Sequence, residues 1–471
     1  MNTLLQNLTL RAVVVLAAIV VWAMPATAQD CNCVPNQVIV QLNLASDLPA
    51  VATQFGLSQT PVSVIASPPI YLLTITNAHT PTQVVADIGA ANDPRIKYAE
   101  VNRKLSQVER PGLNWTLGRS WSIGRSWSIG GSAKGYAKQW FPDRIRLNEA
   151  YAATCLPTGN TCTKGRRVDN NQPVVVAVLD TGIDLNHPAF AGRLVPQTDM
   201  WDFVDGDNNP SEVGTLRVDP SYGHGTHVAG IVALTAPDVK IMPLRILDQN
   251  GEGELWRITA ALIWAANHNA DVANLSFGYP DNIRLLKDLL DELDDGITTS
   301  GTRFPIGTHL LAATVASGNG GNTLRVFPAA EDADGMLAVA ASTRYDRLAT
   351  FSSYHRDWVN VTAPGEEIIS AIPGGRYGMW SGTSMAAPIV AGITALVKAR
   401  YPTRFATPHD LLDYVKATSV DKRWTGQNEI PPWGEVRLHR IDALCAVTNI
   451  TTCPIPSNVS DTSGFEQFLV K

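Results

Sequence analysis

A chain of 471 residues with 17% charged and 45% hydrophobic residues is globular in composition and too long for one compact core, so two or three folding units are expected. The formal net charge of −6 is mild, and the sequence holds neither a Lys/Arg block nor a long acidic run. Nucleic-acid binding through a basic stripe and a disordered acidic tail are thereby excluded as organising features.

At the start of the chain, Arg11 precedes the apolar run "AVVVLAAIVVWAM" and then "PATAQD". One positive charge, a short apolar stretch and the small-residue pattern Ala26-Thr27-Ala28 read as a signal peptide over 1–28, with the product secreted to the extracellular space or periplasm. The run is shorter than the ~20 residues that span a bilayer. Export permits disulfide bonds, and the six cysteines form three local pairs. Cys155 with Cys162 and Cys445 with Cys453 would each close a short loop, whereas Cys31 and Cys33 stand too near each other to pair comfortably.

Residues 29–108 read as a small unit. "QVIVQL" alternates like a strand, "DLPAVATQFG" has a helical pattern, "PIYLLTIT" is a strand, "TPTQVVADIGAAND" a second helix and "IKYAEVNRKL" a last strand. That β-α-β-α-β order is consistent with a small α+β ferredoxin-like sandwich. Residues 109–138, rich in Gly, Ser, Arg and Trp and carrying "GRSWSI" twice, are expected to form an exposed linker.

From Gln139 to Val447 strands and helices alternate, followed by a tail over 448–471. "VVVAVLD", "KIMPLRIL", "ADVANLSFG" and "HLLAATVASGN" are nearly continuous apolar runs, as strands buried on both faces require. The helical patterns "LWRITAALIWAANH" and "IRLLKDLLDELDD" lie between them. The expected fold is α/β: a doubly wound, mostly parallel sheet with helices on both faces and its site at the carboxyl ends of the strands.

Four places fit that position. Asp180 closes the first apolar strand, where a carboxylate needs a charged or hydrogen-bonding partner, although an ordinary turn would use the same residue. His224 lies between Gly223 and Gly225 at the head of the all-apolar "THVAGIVAL". His227 follows three residues later, but a zinc pair on a helix stands four apart with an acid between. Asn319 sits where a buried strand breaks into glycines and either turns the chain or aims its amide into a cleft. Ser384 heads a second all-apolar helix, whose free N–H groups would stabilise negative charge, with Pro388 in the first turn; a plain N-cap is the bland alternative. Acid, imidazole and hydroxyl in this combination suit nucleophilic hydrolysis.

"DTGID", "GHGTHVAG" and "GTSMAAP" resemble, in order, the three signature motifs of the subtilisin-like serine peptidases, and "HRIDALCAV" resembles the family's terminal segment. The resemblance covers roughly residues 139–447 and implies a subtilisin-like fold and peptide-bond hydrolysis through an acyl-enzyme. It makes Asp180 the orienting acid, His224 the general base and acid, and Ser384 the nucleophile, with Asn319 and the Ser384 N–H as the oxyanion hole. His227 becomes a packing neighbour. Ser276, Phe277 and Gly278 would line one side of the polypeptide-substrate cleft and Ala316, Ser317 and Gly318 the other, with Arg325 and Val326 near the pocket floor favouring small apolar side chains. "WDFVDGDNNPSE" resembles a calcium loop of the family, with Asp202, Asp205, Asp207, Asn209 and Ser211 as ligands of a structural Ca2+ ion. The N-terminal unit would be an inhibitory propeptide of a zymogen, cut away somewhere within 104–138.

Overall fold

The computed structural model describes residues 31–107, 116–117, 128–154, 164–216, 218–296, 309–424, 436–451 and 453. The expected signal segment and the Cys155–Cys162 pair lie outside these residues. No helix among the described residues is long and apolar enough to cross a membrane.

The N-terminal unit runs β1 (Cys33–Leu42), α1 (Leu48–Phe55), β2 (Ser63–Ile65), β3 (Ile70–Thr74), α2 (Pro81–Ala91) and β4 (Ile96–Gln107). Its antiparallel sheet has the order β4-β1-β3-β2, the β-α-β-β-α-β form of the ferredoxin-like sandwich. The sequence-based order lacked β2, which is three residues long with Val64 exposed, so it carries no period to read. Helix α2 was legible at both ends. Thr80 and Gln83 form a capping box, Pro81 opens the first turn, and Asn92 closes the helix in the left-handed conformation. The period-2 alternation of β1 divides its side chains between two cores: Val38, Val40 and Leu42 face α1 and α2, while Ile39 on the other face joins the core of the larger unit.

The larger unit is built on a nine-stranded sheet. From one edge, its strands are Val420–Trp424, Val436–Arg440, Val361–Pro364, Met336–Ser342, Ala312–Ala316, Val272–Leu275, Val175–Asp180, Lys240–Arg245 and Trp201–Asp202. Every pairing is parallel except the outermost, Val420–Trp424 with Val436–Arg440. Alternate residues of the Val175–Asp180 strand enter separate apolar layers, Val176 and Val178 on one face and Ala177 and Leu179 on the other. The helices His224–Thr235 and Thr383–Arg400 cover the first face, and Leu255–Asn267 and Arg284–Asp295 the second. Burial on both sides explains the unbroken apolar runs.

One boundary and one cysteine pairing differ from expectation. Ser128–Gly131, within the segment read as linker, is a strand paired with Arg376–Trp380, and Tyr136 donates its hydroxyl to the Gly230 carbonyl at 2.6 Å. The larger unit therefore includes residues from 128. Cys31 and Cys33 are bonded to each other; the chain bends so that their Cα atoms are 5.3 Å apart, within the normal disulfide range. Cys445 and Cys453 are paired as expected.

Candidate active site

Three strand ends and two helix starts meet at one edge of the large sheet. Asp180 is the last residue of its strand and is buried. Its Oδ1 accepts the His224 Nδ1 proton at 2.6 Å and the Thr181 N–H at 2.8 Å. That contact fixes the His224 tautomer with Nε2 as the acceptor. His224 is the first residue of its helix, after Gly223 at φ 96°. Gly225 is required next: a Cβ there would lie 2.0 Å from the Gly182 carbonyl oxygen and 3.1 Å from the Asp180 Cβ. The two motifs meet only because neither has bulk at the crossing.

The strand Val272–Leu275 runs in register beside the Asp180 strand, Leu275 opposite Leu179, so Ser276 emerges next to Asp180. The Ser384 hydroxyl donates to the Ser276 carbonyl at 3.2 Å, and the Ser276 hydroxyl donates to the Ser384 carbonyl at 3.2 Å. Pro388 explains the second bond. The helix starts at Thr383, so Pro388 stands in its second turn rather than its first, and its missing N–H leaves the Ser384 carbonyl without its i+4 donor. Gly382 is the N-cap, so Ser384 lies inside the first turn and is not a cap.

Asn319 follows the Ala312–Ala316 strand. Its Oδ1 accepts from the Thr383 N–H at 2.9 Å and the Thr383 hydroxyl at 3.1 Å, and the Gly318 N–H donates to the same hydroxyl at 3.1 Å. With the oxygen held at the head of the Ser384 helix, the amide nitrogen is the end that can donate elsewhere. The expected oxyanion donors, Asn319 and the Ser384 N–H, therefore belong to one anchored corner. Gly318, at φ 102°, would place a Cβ 2.8 Å from Val326 Cγ2, which puts Val326 against the cleft wall, whereas Arg325 is exposed. Ser317 turns its hydroxyl to the Ser353 carbonyl at 3.0 Å.

His227 packs, as expected. It stacks on Trp380 with ring centroids 4.3 Å apart, its Nε2 faces the Gly378 carbonyl at 3.2 Å, and burial holds its pKa down to about 3.

The cleft already carries a strand. The end of β4 pairs antiparallel with Glu252–Glu254, Leu105 opposite Gly253, and with the segment after Ser276, Gln107 opposite Phe277 and Ser106 opposite Gly278. The N-terminal unit thus lies along the surface expected to receive a polypeptide. Arg103 pairs with Asp281 at 3.1 Å, Lys97 pairs with Glu292, and Asn102 donates to Glu254 at 3.1 Å.

The expected calcium ligands do not fit the ion in this arrangement. Arg245, 2% exposed, donates through Nη1 to Asp202 Oδ2 at 2.7 Å and to Asp205 Oδ2 at 2.6 Å. Asp207 Oδ1 accepts the Asn209 N–H, and Asn209 Oδ1 accepts the Ser211 hydroxyl. The Arg245 guanidinium thus holds one oxygen each of Asp202 and Asp205, and local turns use one oxygen each of Asp207 and Asn209. Among the described residues the only close trio of metal-type ligands is Asp442, Cys445 and Cys453, whose two sulfurs form the disulfide.

Sequence reasoning missed Glu212. Its Oε1 accepts the Thr181 hydroxyl at 2.5 Å, and its Oε2 accepts the Thr226 hydroxyl at 2.7 Å and the Thr226 N–H at 3.1 Å. Burial pushes its carboxyl up to about 7 against those bonds, with Asp180 a smaller influence in the same direction. Nothing in "NNPSEVG" separates this acid from a solvated turn residue.

A parallel α/β sheet that gathers an acid, an imidazole, a helix-borne serine and an anchored asparagine defines the subtilisin-like class of fold and site. Residues 171–434 match the model described as the subtilase family, Peptidase_S8, and residues 26–102 match the fervidolysin N-terminal prodomain. The chain belongs to the subtilase family. It is 38% identical over 235 residues to the thermophilic serine proteinase of Bacillus sp. (strain AK1), covering 48% of this chain and 52% of that one. Thermitase of Thermoactinomyces vulgaris is 34% identical over 238 residues, covering 48% of this chain and 75% of thermitase. The match to subtilisin NAT of Bacillus subtilis subsp. natto, at 35% identity, spans 49% of this chain and 56% of that protein, so about half the length of such relatives is matched. In fold, the chain is similar to fervidolysin from Fervidobacterium pennivorans, with a TM-score of 0.61 and 24% identity over 91% of this chain and 62% of that one.

Proposed function

We propose that this chain is an exported serine endopeptidase made as a self-processing zymogen. The observation that carries the reading is the last strand of the N-terminal unit, paired on both sides of the cleft and ending at Gln107 opposite Phe277, one residue from the serine-bound Ser276. A substrate would bind in the same extended way, as a strand between Gly253 and the Phe277–Gly278 segment.

Ser384 Oγ attacks the scissile carbonyl while His224 Nε2 takes its proton, and Asp180 holds the Nδ1 proton and stabilises the imidazolium. The carbonyl oxygen becomes an anion received by the Asn319 amide and the Ser384 N–H at the positive end of its helix. His224 then protonates the departing amine, and water repeats the sequence on the acyl-enzyme. Val326 behind Gly318 narrows the pocket and favours small apolar side chains before the cut. Calcium enters no step, because Arg245 supplies the cation that Asp202 and Asp205 hold.

The test is covalent labelling with a fluorophosphonate. Labelling should vanish in Ser384→Ala, which should also accumulate the uncut chain; labelling that survives would remove the serine assignment. In the parent, N-terminal sequencing should place the cut within about two residues after Gln107, by continuation of the β4 register. A secreted product starting at Gln29 would contradict the propeptide reading. Export itself is checked by finding the product outside the cytoplasm.

A further inference from the structure

Glu212 takes no part in the mechanism above, yet its carboxylate lies between the two segments whose separation the mechanism depends on. One segment is the end of the Asp180 strand and the other the start of the His224 helix. Four donations form a closed circuit between them. The Gly225 N–H donates to the Thr181 hydroxyl at 2.9 Å, and that hydroxyl donates to Glu212 Oε1 at 2.5 Å. The Thr226 N–H and hydroxyl both donate to Glu212 Oε2, at 3.1 and 2.7 Å. The Asp184 N–H donates to the Thr226 hydroxyl at 2.9 Å, so each threonine hydroxyl is oriented by an accepted bond and spends its own proton on Glu212. The main chain at Glu212 is pinned as well, its N–H donating to the Ile183 carbonyl at 3.0 Å. Thr181 follows Asp180 directly, and Thr226 lies two residues after His224.

We infer that Glu212 is a positioning residue for peptide-bond hydrolysis, clamping the Asp180 turn to the His224 helix so that the 2.6 Å Asp180–His224 contact is held in advance of the reaction. The inference rests on the Asp180-His224-Ser384 reading. Its physical basis is that Glu212 bridges Thr181 and Thr226, and so ties together the two direct bonds between the segments, Gly225 N–H to Thr181 and Asp184 N–H to Thr226. Gly182 and Gly225 have no side chains there, and an acid beside Asp180 brings like-charge repulsion that a neutral polar residue would avoid. A carboxylate nonetheless suits the position because every partner donates, and only an acceptor-only group serves them all. Glutamine would aim an amide N–H₂ at one of the two threonine hydroxyls, each already committed to donating.

The clamp acts on the imidazole and not on bound substrate, so its loss should appear in kcat. In Glu212→Gln, kcat per active site, counted by burst titration of the processed enzyme, should fall about tenfold with KM within twofold of the parent. The fluorophosphonate acylation rate should fall in parallel. Thr226→Val should lower kcat similarly, Thr226→Ser should keep it within twofold, and the double variant Glu212→Gln/Thr226→Val should be no worse than the poorer single one. A kcat for Glu212→Gln within twofold of the parent overturns the inference, as do losses that multiply in the double variant or a change confined to KM. If Glu212→Gln gives no soluble enzyme, Thr181→Val takes its place, and an unchanged kcat there is equally fatal. Ser384→Ala separates the two readings: labelling that survives it defeats the triad, whereas labelling lost in it beside an unaffected Glu212→Gln defeats only the clamp.

Discussion

Arg245 shows how a residue outside the proposed catalytic set fixes the electrostatics of a neighbouring loop. It is the last residue of the strand beside Asp180, stands opposite it in register, and turns its guanidinium back into the 202–205 loop. Removing one partner of a buried ion pair leaves the other charge uncompensated, at a cost of roughly 3–5 kcal/mol. Arg245→Met should therefore lower the denaturation midpoint markedly, whereas a calcium chelator should leave the parent's melting curve unchanged. A chelator-induced drop in melting temperature would restore the ion that the loop sequence suggested. At the cleft wall, Val326→Ala should widen the pocket behind Gly318 and raise kcat/KM for larger apolar residues before the scissile bond relative to alanine. The gain expected from one or two methylenes is about 10–200-fold in relative specificity, read from a peptide library. An unchanged profile would take Val326 out of the pocket.

Among the elements, β4 joins the two units and carries their shared electrostatics. Its Glu100 is raised above the ordinary carboxyl value by burial, and Glu331 of the larger unit is pushed up to about 7, chiefly by burial with Glu100 adding repulsion. Each carboxyl binds its proton more tightly in the assembled chain than when unfolded. The stability this brings is complete below the ordinary value of 4.5 and is lost as pH rises towards 7. For uncut Ser384→Ala protein, the melting temperature should fall between pH 5 and pH 8, and Glu331→Gln should flatten that fall. A curve that rises across the interval, or a Glu331→Gln curve parallel to the parent's, would contradict it. The alternation of "QVIVQL" made β1 legible in sequence, and the helix read from Thr80 begins at the capping box that Thr80 and Gln83 form in the structure. The extra strand β2 was not legible, because three half-exposed residues bury too little to impose a pattern.

Across the whole molecule, the large sheet separates two apolar layers, and the C-terminal segment closes one of them. The helix Ala443–Thr448 packs near Arg146, which donates to both oxygens of Asp442 at 2.9 and 2.8 Å. Cys445–Cys453 closes the chain just beyond. A loop of that length limits the unfolded chain by about 2–3 kcal/mol. The double variant Cys445→Ser/Cys453→Ser should lower the unfolding free energy from urea titration by that amount with kcat unchanged, and an unchanged unfolding free energy would show that the Arg146–Asp442 pair alone secures the terminus.

The apolar runs "VVVAVLD" and "HLLAATVASGN" determined a buried parallel sheet on their own, because a strand covered on both faces has no room for polar alternation. The three motifs likewise pointed to Asp180, His224 and Ser384 through their resemblance to the subtilisin-like signatures. Only the tertiary structure decided the use of Glu212 and Arg245, the occupant of the cleft and the partner of the Ser384 carbonyl. A charged residue reads the same in sequence whether it meets water or a buried counterpart forty residues away. Which it meets depends on how the chain returns in space.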